Sequence, residues 1–423
     1  VKTASIPLCI CLCFTSLAAP AHRAKQKPEL KYVVVLSRHG VRSPSKANDE
    51  LNVYSSKPWP MWSVAPELLT AHGAQQMSLV GTYDRAYYAQ AGLFAASGCA
   101  DAASVFVYAD SNQRTQITAQ KLADSMFPGC KVDIHGRPLE KPDLLFHPSF
   151  TEGQKAAAVA GVRERIQQAT GGDDMIDALT AKYKPQLEML NRVLEGCSAD
   201  VQAPCPSPKP AIAEKLFEVD AKLKPGKNEK LLNFKGPLAT ASSLAEDLEL
   251  EYTEGLPAAE VGWGHVDGPT LRGLLQLHGA ANSVEQRALP VARAQAGPLL
   301  TAIEASLQQA ADGKPVAGAL GAPGDKLLLL TGHEGNLTGI SALLHLTWDV
   351  DGMRDHVPPG AALVFELWKD SAGYSVRVAY MAQTLEQIRT LAPLTLASPP
   401  VHVTLRPCGS DPCSLSQFEA LAK

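Results

Sequence analysis

Three short apolar runs, at residues 32–36, 104–109 and 326–330, each lead directly into a polar cluster. An unbroken apolar run of this length predicts a strand buried on both faces of a largely parallel sheet. Helical spacing follows the first run from Thr70 or His72 to about Ala96. It recurs over 113–126, where Ile117, Leu122 and Met126 share one side. Residues 45–66, with several Pro, Asn and Ser residues beside Trp59 and Trp62, predict a long loop, a feature that often carries function. Near the far end, 362–368 and 374–381 predict a hairpin across Asp370-Ser371-Ala372-Gly373.

The pattern changes over 150–260. Ala- and Leu-rich segments at 155–170, 174–194 and 238–251 predict helices, a Pro-rich break falls at 204–210, and no strand is expected there. Two more helices are expected at 267–277 and 283–308. Strand–helix alternation that is interrupted by helices and then resumed predicts an α/β fold. Its mostly parallel central sheet would be flanked by helices and carry an inserted α-helical domain. The expected divisions are a leader at 1–21, a polar arm at 22–30, an α/β catalytic domain over 22–150 and 262–423, and a helical cap over 151–261.

Composition adds compartment and excludes some partners. The 423 residues are 45% hydrophobic and 19% charged, which is ordinary for a globular protein with a sizeable core. Net charge is −4, and −5 without the leader, whose one charged residue is Lys2. That balance gives no reason to expect nucleic acid or an anionic membrane as partner. Lys2, the apolar stretch 6–19 and the small residues at Ala19-Pro20-Ala21 have the form of an export signal too short to span a bilayer. A periplasmic or secreted protein, with no membrane attachment after cleavage, is therefore expected.

Removing the leader leaves six cysteines: Cys99, Cys130, Cys197, Cys205, Cys408 and Cys413. In an exported protein an even count implies disulfides, and six cysteines allow fifteen connectivities. The pairing 99–130, 197–205, 408–413 is favoured because each pair closes a short loop in its own region. No cysteine or histidine group has zinc-ligand spacing, so no metal and no cofactor are expected.

The polar clusters carry the chemistry. Arg38-His39-Gly40-Val41-Arg42 follows the first run, Asp110-Ser111-Asn112-Gln113-Arg114-Thr115 the second, and Gly332-His333-Glu334-Gly335-Asn336 the third. In an open α/β sheet, ligands bind beyond the carboxyl ends of the strands, where all three clusters would sit. Arg38 and Arg42 repel each other unless an anion lies between them, and guanidinium is shaped to grip phosphate in a bidentate way. Arg38, Arg42, Arg114 and His333 would cradle a phosphoryl group, and His39 would attack it in line to give a phosphohistidine. Glu334 would protonate the leaving oxygen and then activate water.

Arg38-His39-Gly40-Val41-Arg42-Ser43-Pro44 resembles the R-H-G-x-R-x-P signature of the histidine acid phosphatases, and 332–336 resembles that family's G-H-D-x-N motif. The segment at 109–115 resembles the one carrying its third phosphate-binding arginine. Gly262-Trp263-Gly264, the 274–278 segment, Pro359-Gly360 with 363–366, and Cys408 with Cys413 resemble the bacterial phytase and glucose-1-phosphatase branch. The six-cysteine layout is similar to three of that branch's disulfides.

The resemblance implies an acid phosphatase acting on phosphomonoesters, with phytate or a sugar phosphate as substrate; a monomer is expected. Phytase is the leading reading, and glucose-1-phosphatase or a broad-specificity acid phosphatase the alternative. It also implies outer substrate contacts at Ser45 and Lys46. One departure is Glu334, where the family usually has Asp. A catalytically dead phosphate-ester binder and a mutase-like isomerase are the remaining alternatives. Intact His39 speaks against the first, and export with disulfides against the second. His333-Glu334 lacks the later histidine of a zinc-protease motif, and neither a P-loop nor a G-x-S-x-G elbow is present.

Overall fold

The computed structural model describes residues 1–3, 27–139, 141–172, 175–205, 215–409 and 413–421. The leader's apolar stretch, its cleavage site and 206–210 of the Pro-rich break lie outside the described residues. No described helix is long and apolar enough to cross a membrane.

The chain builds strands β1 (Glu29–Arg38), β2 (Val105–Ala109), β3 (Ile134–Gly136), β4 (Lys222–Pro225), β5 (Leu232–Lys235) and β6 (Leu327–Gly332). Then follow β7 (Asp349–Val350), β8 (Met353–Arg354), β9 (Ala362–Asp370), β10 (Gly373–Ala382), β11 (Val401–Leu405) and β12 (Cys413–Ser414). Eight of them form one sheet in the order β11-β10-β9-β1-β6-β2-β3, with β12 on β10. The fold is α/β, with β1, β6, β2 and β3 parallel and β9 to β12 antiparallel. Leu327, Leu328, Leu329 and Leu330 are buried on both faces, as an unbroken apolar run requires.

Register places the site. Arg38 pairs with Gly332 and Thr331 with Ala109, so the three parallel strands end at one level. Beyond those ends the backbone stays linked: His39 N–H donates to the Gly332 carbonyl (3.1 Å) and Asp110 N–H to that of Thr331 (3.0 Å). Gly40 permits the tight turn, since a Cβ there would lie 2.8 Å from the Gly73 carbonyl oxygen of the Ala71–Gln90 helix.

Several elements differ from the sequence reading. The first long helix stops at Gln90, before Gly92, which has φ +82°. The loop at 45–66 contains the short helix Asn48–Leu51. The 174–194 segment is two helices, Ile176–Lys182 and Lys184–Leu194. Pro185 opens the second because it has no N–H for a continuous ladder. The segment expected to lack strands holds the antiparallel pair β4–β5, whose Lys, Asn and Pro residues disguise it. The helix after Ser283 starts at Leu289, with Pro290 in its first turn.

Packing crosses the expected boundary at residue 261. Leu187, Leu244 and Leu248 share one apolar cluster with Leu271, Leu274 and Leu277 of the Gly268–Val284 helix. The helical side is thus a wall continuous with the helices that follow it. Disulfides join Cys99 to Cys130, Cys197 to Cys205 and Cys408 to Cys413.

Candidate active site

The strand ends gather the candidate residues into a buried polar centre. Arg38 and His39 are 1% and 3% exposed. His39 Nδ1 lies 2.8 Å from the Gly40 carbonyl oxygen. A carbonyl only accepts, so Nδ1 carries the proton and Nε2 keeps its lone pair. Burial, then Arg38, His333, Arg42 and Arg114, holds the His39 pKa well below the ordinary imidazole value. The ring is therefore neutral and its free nitrogen nucleophilic.

Arg38 and Arg42 do share an anion, and the protein supplies it. Glu246, from the Pro237–Thr253 helix, accepts from Arg38 Nη2 and, at 3.2 Å, from Arg42 Nη2 through the same oxygen. Burial opposes ionisation of this carboxyl, but Arg42 and Arg38 outweigh it and keep the pKa below its usual value. Arg38 Nη1 also donates to the Val357 carbonyl. Arg114 Nη1 donates to the backbone carbonyl and the carboxylate of Glu67, each at 3.4 Å, and among the described residues its buried Nε has no hydrogen-bond partner.

His333 caps the Glu334–Leu343 helix, its ring 5.5 Å from that of His39. Its Nε2 lies 2.6 Å from Asp110 Oδ2, and His147 Nε2 lies 2.9 Å from the same oxygen. Burial and neighbouring Arg114 outweigh the Asp110 hydrogen bond and bring the His333 pKa down to about 4. Burial would raise the Asp110 pKa, but bonds from His147 and His333 hold it far below the carboxylate range.

Glu334 is tightly partnered. Its Oε1 accepts from His278 Nε2 (2.8 Å) and Asn282 Nδ2 (2.6 Å), and its Oε2 lies 3.4 Å from Arg38 Nη1. His278 and Asn282 stand one turn apart on the Gly268–Val284 helix and so reach the same carboxylate. Burial opposes both charges in this pair, yet each partner stabilises the other. The His278 pKa rises to about 9, and that of Glu334 falls far below its usual value. The expected proton donor is thus an ionised carboxylate beside an imidazolium in the ligand-free protein.

The structure brings Arg38, His39, Arg42, Arg114, His333 and Glu334 together. Ser45 and Lys46 stand outside this centre. Ser45 is exposed, and Lys46 Nζ sits 5.9 Å from the Tyr54 ring centroid, close enough for its charge to act on Asp247 of the Pro237–Thr253 helix. Sequence reasoning missed Glu246, His147, and the joint hold of His278 and Asn282 on Glu334. The one available signal was a Leu-rich helix that buries acids: Asp247, Glu249 and Glu251 are 4%, 0% and 1% exposed.

The chain belongs to the Histidine phosphatase superfamily (branch 2), whose pattern it matches over residues 29–381. It is 32% identical over 414 residues to Phytase AppA of Escherichia coli (strain K12), covering 93% of this chain and 92% of that one. It is also 31% identical over 407 residues to the Glucose-1-phosphatase of Providencia rettgeri, covering 92% and 90%. The solved structure of Hafnia alvei phytase in complex with myo-inositol hexakis sulphate superposes with a TM-score of 0.80 at 32% identity, covering 96% and 97%. The chain is a phosphomonoester hydrolase of this family.

Proposed function

We propose that this member of the histidine phosphatase superfamily is an exported acid phosphatase whose main substrate is phytate, inositol hexakisphosphate. The observation that carries the mechanism is the Nδ1–H bond of His39 to Gly40, which leaves Nε2 bare among Arg38, Arg42, Arg114 and His333. A phosphomonoester brings close to two negative charges, and those cations compensate the charge on its equatorial oxygens.

In the first step Nε2 of His39 bonds to phosphorus as the ester P–O bond breaks, and Glu334 passes a proton to the departing oxygen. An anionic phosphoryl group beside Glu334 and Glu246 disfavours a further negative charge, which draws a proton onto Glu334 from its pair with His278. In the second step water attacks phosphorus, the P–N bond breaks, and the Glu334 carboxylate takes the water's proton. His333, neutral in the free protein, gains a second proton and donates to the phosphate once that anion offsets Arg114. Arg38 and Arg42 grip the phosphate in place of, or together with, Glu246.

Phytate is favoured by the phytases among the relatives and by Lys46, which stands near the Pro237–Thr253 helix where a second phosphate of a polyphosphorylated ring would need a cation. Glucose 1-phosphate is the second reading, since a glucose-1-phosphatase is nearly as similar. Phosphate release from phytate and from glucose 1-phosphate, compared as kcat/KM at acidic pH, decides between them. A higher value for glucose 1-phosphate refutes the phytase assignment. No release from either ester refutes the reaction class.

A further inference from the structure

One cluster beside the site holds two groups, Asp110 and His147, to which that reaction gives no role. Asp110, at the end of β2, is fully buried, and its Oδ2 accepts from both His147 and His333. Its other oxygen, Oδ1, is also buried and has no hydrogen-bond partner among the described residues. Leaving a buried carboxylate oxygen unpaired costs about 1–3 kcal/mol, so this orphan needs an explanation. The donor atoms of Asp110, His147 and His333 all lie within 4.8 Å of one another. His147 sits on the chain after β3 with half its side chain exposed. Together with His333 it lines a cavity of about 560 Å³.

Two imidazoles and one carboxylate are a donor set suited to borderline ions of the zinc type. Such an ion bonds nitrogen at about 2.0–2.1 Å and holds its ligands roughly tetrahedrally. It would fit between the three groups if His147, the exposed member, withdrew slightly. Each neutral ring would shift its proton from Nε2 to Nδ1, the ion would bind the two freed Nε2 lone pairs, and the Asp110 carboxylate would gain a cation as partner. A fourth position would stay open to water on the cavity side.

We propose that Asp110, His147 and His333 form an inhibitory binding site for a divalent transition-metal ion, overlapping the phosphate site at His333. Inhibition follows because the ion fixes His333, which the phosphate needs. That consequence rests on the role given to His333 above, whereas binding itself does not. The site draws on positions 110, 147 and 333, far apart in the chain, so no ligand spacing announces it.

The test uses the chelator-treated mature protein at about pH 7, where most free imidazole is neutral, with p-nitrophenyl phosphate as substrate. Cobalt(II) should give the visible absorption of a near-tetrahedral site, zinc should displace it, and turnover should fall as zinc binds and recover with excess EDTA. His147→Gln should keep its basal turnover, bind zinc at least about 10–100-fold more weakly, and resist inhibition to the same extent. Equal zinc affinity and inhibition in the variant and the wild type would overturn the site. Tight binding that depends on His147 yet leaves turnover unchanged would overturn the inhibitory role and the assignment of His333, leaving the ligand set intact.

Discussion

Replacing Glu334 by Gln keeps the shape of the side chain and removes its ability to carry a proton. If Glu334 protonates the leaving oxygen, the loss depends on how basic that oxygen is. General-acid assistance contributes about 10²–10⁴-fold for a poor leaving group, or roughly 3–5 kcal/mol of barrier. Phytate and glucose 1-phosphate should lose that much, while p-nitrophenyl phosphate, whose phenolate departs unaided, should stay within about tenfold. Stability changes too, because Glu334 raises the His278 pKa to about 9. A raised pKa of a base stabilises the fold fully below its unfolded value, near 6.5, and the effect fades as pH rises through 9. Melting of the variant should therefore fall below wild type at acidic pH, and the gap should close above about pH 9. Single-turnover rates on the three esters, measured well below the variant's melting point, give the comparison. Glu334→Asp retains a titratable carboxyl and should restore the flat dependence on leaving group. Equal losses on all three esters in Glu334→Gln would refute the general-acid role and leave Glu334 a structural partner of His278 and Arg38.

Other consequences follow from the same geometry. Because the His39 pKa lies well below the ordinary imidazole value, the nucleophile stays neutral as pH falls. The acid limb of kcat/KM should therefore lie below about pH 6.5, and a midpoint at that pH would contradict the lowered pKa of His39. Glu246→Gln removes the carboxylate held between Arg38 and Arg42. Inorganic phosphate should then inhibit roughly three- to tenfold more strongly, and weaker product inhibition would mean that Glu246 positions the arginines rather than competes with phosphate. Opening the Cys99–Cys130 bridge with a Cys99→Ser, Cys130→Ser double variant should cost about 3–4 kcal/mol in denaturant unfolding, from a loop with a sequence separation of 31.

What could be read from the sequence, and what could not, follows the range of the interactions. The three polar clusters were legible because each follows an unbroken apolar run, and parallel pairing of β1, β6 and β2 then brings their ends to one level. The partners that set protonation were not legible. His278 and Asn282 lie more than fifty residues from Glu334, and Glu246 about two hundred from Arg38. Only helix packing brings them together, and a single chain carries no periodic signal for that. The β4–β5 pair stayed hidden for a local reason: Lys222-Leu223-Lys224-Pro225 is short, charged and closed by proline, against strand preference. The helical segment showed in the sequence as a change in composition. Its apolar cluster nevertheless runs on into the Gly268–Val284 helix, so a boundary drawn where the pattern changes is no boundary in packing.

The most direct test of the account is to find the phosphoryl group on the protein. Wild-type protein mixed with excess p-nitrophenyl phosphate, quenched rapidly in alkali to preserve a phosphorus–nitrogen bond and digested, should yield one phosphorylated peptide, modified at His39. The His39→Ala variant, folded but inactive, should yield none. A phosphoryl group on any other residue, or full turnover of His39→Ala without a covalent intermediate, would contradict the claim that the Gly40-locked imidazole is the nucleophile.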